Sequence, residues 1–144
     1  MFLFVIRYLG FLKFIPGLGI LFDGWLKIFT LLTKPDMLDW IDEIEAQTLR
    51  WSGISISTHK YGGLQINCNG KEVGHIHSNG LLDMLLSRNI KARLMLEDNR
   101  VEEHHSFKNT GWISFYIHTE YDLKIALKLL RLGYERIVEK ELQA

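Results

Sequence analysis

Six histidines occur in a chain of 144 residues, and four of them fall in two close pairs. His75 and His77 are separated by one residue in a segment that reads as a strand. Their imidazoles should therefore project from one face, about 7 Å apart. A neutral imidazole serves as a general base or as a metal ligand near neutral pH. With one member of the His104-His105 pair, and with Asp83 or Glu102, the two would form such a site. Neighbours in an extended chain point to opposite sides, so only one of His104 and His105 joins easily, and spacing does not say which. The bland alternative is that His75 and His77 are core-edge groups bonded to backbone. No strong zinc spacing such as H-E-x-x-H is present, so no metal is expected. Cys68, the lone cysteine, excludes an internal disulfide and a cysteine-rich zinc site; a packed structural thiol is expected there.

The elements that must position these groups read as follows. Asp36 is expected to cap a helix running to about Arg50, with Met37, Trp40, Ile41, Ile44, Thr48 and Trp51 along one face. Ile54, Ile56 and Thr58 alternate with polar residues, as do Leu64, Ile66 and Cys68. Asn69-Gly70 then predicts a two-residue hairpin turn. A regular hairpin pairs Cys68 with Lys71, Ile66 with Val73 and Leu64 with His75. That places both histidines on the face of Leu64, Ile66 and Val73. Residues 81–86 are open between strand and helix. Ser87 reads as the cap of a helix from Arg88 to about Glu97. Residues 111–117 read as a strand by their aromatic and β-branched content. Thr119 and Asp122 form a capping box for a last helix that buries Leu123, Leu127, Leu130 and Tyr134. The sum is α+β, with a mainly antiparallel sheet and flanking helices.

The formal net charge is zero, which gives no basic field to attract nucleic acid, and no nucleic-acid partner is expected. Residues 1–34 carry Arg7, Lys13, Lys27 and Lys34 against Asp23 alone, so the apolar end is also the basic end. Leu18, Leu21, Phe22, Trp25, Ile28, Phe29 and Leu32 recur at helical spacing, with Gly19, Asp23, Lys27, Thr30 and Lys34 opposite. Such a helix suits a membrane interface, and residues 2–15 are apolar on nearly every face. The expectation is an apolar helical membrane segment over 1–34 and a domain over 35–144. Residues 1–33 would contact lipid and hold the protein at the cytoplasmic side of a membrane. Packing of the segment on its own domain is the competing reading.

Several motifs occur in order: Gly74-His75-Ile76-His77, Gly80-Leu81-Leu82-Asp83, Glu103-His104-His105, and 111–117. The series closes with Asp122 and the stretch from Ala126 to Tyr134. Together they resemble the luciferase-like domain shared by fungal luciferases and many bacterial proteins, over roughly residues 62–134. The resemblance implies oxidation of a hydroxylated aromatic pyrone by molecular oxygen, with no flavin or metal cofactor. It implies His75 or His77 as base, His104 or His105 as enolate stabiliser, and Asp83 as the group orienting a histidine. Trp112 and Tyr116 would line the pocket for the small aromatic molecule. A non-catalytic, membrane-associated binding module is the alternative.

Overall fold

Asn69 and Gly70 both adopt positive φ, 49° and 77°, which closes a tight turn between two strands. The turn joins β2 (Leu64–Cys68) to β3 (Lys71–Ile76). The computed structural model describes residues 17–143. Within them, β1 (Ile54–Thr58), β4 (Leu81–Leu85), β5 (Val101–Glu103) and β6 (Trp112–Tyr116) complete a six-stranded sheet of order β1-β2-β3-β4-β6-β5. Every pairing is antiparallel. Residues 81–85, open in the sequence, are therefore a central strand. The helices are α1 (Leu18–Thr33), α2 (Asp36–Thr48), α3 (Arg88–Glu97) and α4 (Glu120–Leu142).

Local chemistry sets most of the helix ends. The Ser87 side chain accepts a hydrogen bond from Ile90 N and starts α3. Thr119 and Asp122 cap each other reciprocally at the start of α4. Asp36 differs from expectation: it is already the first helical residue, Pro35 stands at the cap, and no side-chain cap bond forms. Proline's fixed φ suits a helix start, so the carboxylate is not needed there.

One face of the sheet carries the core. Ile66, Ile76, Leu82, Met84, Ile113 and Phe115 are fully buried on it, and α4 packs across β2, β3 and β4. Gly133 brings α4 close; a Cβ there would stand 2.8 Å from Met84 Cε.

The hairpin register departs from the regular one. Cys68 faces Lys71 as expected, but Ile66 faces Gly74 and Leu64 faces Ile76. A β-bulge inserts Val73 as an extra residue, and pairing slips by one beyond it. A one-residue slip moves every later side chain to the other face. His75 thus faces Gln65 and Asp83, away from the helix-packed core, and not Leu64.

Helix α1 docks by its polar side. Asp23, Leu26 and Thr30 are buried, while Leu21, Trp25, Ile28, Phe29 and Leu32 are exposed. The Asp23 carboxylate accepts from Ser78 N at 3.1 Å and Ser78 Oγ at 2.9 Å. No helix among the described residues is long and apolar enough to cross a membrane. The expectation for residues 2–15 lies outside the described residues.

Candidate functional site

The register places one set of side chains on the sheet face opposite the core. β3 supplies Glu72 and His75, β4 supplies Asp83, and β6 supplies Trp112, Ser114 and Tyr116. His77, just beyond β3, lies on the same side, its ring 5.2 Å from that of His75 and perpendicular to it. The loop after β5 lays His104 over this face, with its ring 5.6 Å from Trp112. The loop after β1 stacks His59 on His75, at 3.7 Å between ring centres. His59, His75, Asp83 and His104 are all buried. So many buried titratable groups cost stability unless paired, and such groupings cluster at functional sites.

Hydrogen bonding decides which ring atom carries each proton. His75 Nδ1 lies 2.6 Å from Glu72 Oε1. Burial works against the charge on Glu72, but the bond to His75 and the nearby His75, His59 and Lys60 together outweigh it and hold the carboxyl below the usual range. An ionised carboxylate only accepts, so Nδ1 holds a proton, and whenever the ring is neutral its lone pair is on Nε2. That Nε2 is 3.8 Å from Asp83 Oδ2.

His104 has the complementary form. Its Nδ1 accepts from Ser106 N at 3.0 Å and from Phe107 N at 3.2 Å. Burial lowers its pKa to about 4, against the opposing pull of Asp83. The ring is therefore neutral at pH 7 and its proton sits on Nε2, 3.7 Å from Asp83 Oδ2. Asp83 Oδ2 is thus a near neighbour of Nε2 on both His75 and His104. Both separations exceed a hydrogen bond. The other oxygen, Asp83 Oδ1, accepts from Ser114 Oγ.

Burial, and then the neighbouring His75, lower the pKa of His59 to about 4, so His59 is neutral as well. Its buried Nδ1 has no hydrogen-bond partner. His77 Nδ1 lies 3.6 Å from Asp23 Oδ1. Burial opposes the charge on Asp23, but the neighbouring His77 and the bonds from Ser78 prevail and depress its pKa. The Tyr116 hydroxyl is pushed up by burial and then by Asp83 and Glu102.

The comparison with known families falls on this same stretch of chain. Residues 70–133 match the luciferase domain family. The resemblance carried by the motifs thus holds over this stretch. No curated protein and no solved structure matches the chain. The luciferase-domain stretch supplies both sides of the site, Glu72 and His75 at one end and His104 and Ser114 at the other. His59 and Asp23 reach the site from outside it.

The structure brings together His75, His77, Asp83 and His104, with Trp112 at 6.0 Å from the His75 ring. His105 is exposed, stacked on His104 at 4.4 Å between ring centres. Tyr116 is half-buried on the site face, and its ring stacks on His118. The carboxylate bonded to a site histidine is Glu72; Asp83 lies beyond hydrogen-bond distance of both His75 and His104. Sequence reasoning missed Glu72, His59, Asp23 and Ser114. One signal was available: Gly74 inside a strand pattern marks a possible bulge.

Proposed function

We propose that this protein is a luciferase-like, cofactor-independent oxygenase acting on an aromatic, hydroxylated, pyrone-like compound. The observation that carries the reading is the pair of complementary ring atoms near Asp83, the His75 Nε2 lone pair and the His104 Nε2–H. His75 takes the proton of an acidic enol or phenol. His104 Nε2–H donates to the oxyanion so formed, and Glu72 and Asp83 flank the imidazolium left on His75. The electron-rich anion then meets molecular oxygen. Trp112 and Tyr116 supply apolar walls, and a cleft of about 430 Å³ borders the site at Glu72 and Trp112. Arg136 and Lys140 line that cleft too, which suits a substrate that becomes an anion. Its size is that of ordinary small-molecule sites.

The exposed apolar side of α1 supports action at a membrane surface, with Leu21, Trp25, Ile28 and Leu32 in one stripe. An apolar substrate would be collected there.

The test is oxygen uptake and photon counting by the metal-free protein with a hydroxylated styrylpyrone. A His75→Gln variant should lose about 10²–10⁴-fold in rate, the usual contribution of a general base. A folded protein that neither binds the pyrone nor consumes oxygen would reject the enzyme and leave a membrane-bound interaction module.

A further inference from the structure

His75, His77 and Asp83 each place one donor atom within 4.8 Å of the others. Two imidazoles and one carboxylate on a buried sheet face are a donor set suited to zinc or ferrous iron, and unlike the all-oxygen sets of calcium and magnesium. Metal–nitrogen and metal–oxygen bonds of about 2.0–2.2 Å require donors about 3–3.5 Å apart. The His75 Nε2 to Asp83 Oδ2 separation, 3.8 Å, is close to that before any side chain moves.

The decisive feature is the ring of groups behind the donors. Metal-ligating histidines nearly always have a carboxylate or carbonyl on their other nitrogen, which fixes tautomer and orientation. Here Glu72 takes Nδ1 of His75 at 2.6 Å. Asp23 lies 3.6 Å from Nδ1 of His77. Ser114 Oγ donates to the Asp83 oxygen that faces away from the histidines. Two of the three donors are therefore hydrogen-bonded from behind, by Glu72 of β3 and Ser114 of β6, and Asp23 of α1 lies near the third. His104 does not fit as a fourth ligand, because its Nε2 keeps the proton. In a second grouping, His59, Glu72 and His75, the donor atoms also lie within 4.8 Å of one another. It would break the Glu72–His75 bond that orients the ring, so it is the weaker candidate.

We propose that His75, His77 and Asp83 form a binding site for a divalent first-row transition-metal ion. Loading uses the His75 lone pair, so a bound ion and proton abstraction by His75 exclude each other. The inference stands independently of the proposed oxygenase reaction.

The probe is Co²⁺ alone, added to the full chain after chelator treatment and followed by visible absorption and calorimetry. One equivalent should bind with ligand-field bands, and Zn²⁺ should displace it. His77→Gln should remove the bands, and Glu72→Gln should weaken binding by 10–100-fold, about the usual effect of a lost outer partner. His118→Gln, on an exposed residue, should leave binding unchanged, and circular dichroism confirms that each variant is folded. Absence of binding overturns the site. So does binding that survives His77→Gln but is lost in His59→Gln, which would place the ion in the second grouping. Oxygen uptake is measured separately on the metal-free and Zn²⁺-loaded protein. Activity of the metal-free form that Zn²⁺ abolishes supports the shared lone pair. Activity of the metal-free form with no metal bound by the protein sinks this inference alone. Activity only when metal is bound sinks the base mechanism and keeps the metal site.

Discussion

At the scale of single residues, the site depends on tautomers more than on positions. A neutral imidazole with its proton on the wrong nitrogen is neither a base nor a ligand at the atom that faces the site. His75 is committed by Glu72, at 2.6 Å. Glu72→Leu frees Nδ1–H and lets the proton redistribute to Nε2. We expect a fall in kcat of about 10²–10⁴-fold, with KM little changed, by analogy with wrong-tautomer histidines in catalytic triads. Glu72→Gln should recover part of the rate, because an amide oxygen still accepts from Nδ1. Steady-state oxygen uptake by the two variants distinguishes positioning from folding. Equal rates for Leu and wild type would remove Glu72 from the mechanism. None of this was legible in the sequence: His75, His77 and Asp83 stood out by type and spacing, whereas nothing marked Glu72.

At the scale of elements, what the sequence revealed depended on how far apart the interacting groups are. The Asn69-Gly70 turn, the Ser87 cap and the Thr119–Asp122 box all act within three residues, and all appear as read. The bulge did not, because the slip at Val73 is set by how β3 meets both neighbours; Gly74 was its one mark. The docking of α1 was equally hidden, since Asp23 meets Ser78 across 55 positions. These elements yield two predictions. Burial raises the Asp122 pKa, but the bonds from Thr119, the His118 amide and Arg100 prevail, and the net shift is downward from 3.8. A depressed carboxyl adds stability above its unfolded pKa and loses it as pH falls through the folded one. Asp122→Ala should therefore cost about 1 kcal/mol at pH 7, typical of a lost cap. Its deficit should shrink below pH 3.8, the ordinary value, as read by urea unfolding at several pH values. Gly62 supplies the second. It has φ +88°, and a Cβ there would stand 2.2 Å from Asp23 Cβ. Gly62→Ala should lift α1 from the domain and speed hydrogen exchange across residues 18–33, with β2 to β4 staying protected. Unchanged exchange would mean that α1 is held by its contacts with α2 instead.

At the scale of the whole molecule, the sheet separates two kinds of burial, and α1 adds a third surface. One sheet face is packed with aliphatic side chains against α4; the other gathers histidines and carboxylates. Helix α1 closes over part of the polar side through Asp23 and turns its own apolar stripe outward. Leu21, Trp25, Ile28 and Leu32 are 72%, 58%, 56% and 78% exposed, at spacings of four, three and four residues. Lys27 is exposed beside them, while the Lys34 ammonium donates to His118 O at 2.9 Å. The magnitudes decide what would hold such a helix to lipid. Full transfer of a large apolar side chain contributes about 1.5–3 kcal/mol. A basic residue at an anionic surface contributes about 1 kcal/mol. The apolar stripe therefore outweighs Lys27, and binding should not depend on lipid charge. We expect the protein to bind neutral phosphatidylcholine vesicles, with a blue shift of Trp fluorescence that Trp25→Ser diminishes. Raising the salt from 0.1 to about 0.5 M, which shortens the Debye length to a few ångströms, should weaken binding to anionic vesicles only slightly. Leu21→Asp with Leu32→Asp should abolish binding to both vesicle types. Binding confined to anionic vesicles and lost in salt would show that charge holds the protein to the membrane and that the stripe has another occupant. A second copy of the chain would appear in that case as a concentration-dependent dimer, which the double aspartate variant would dissociate.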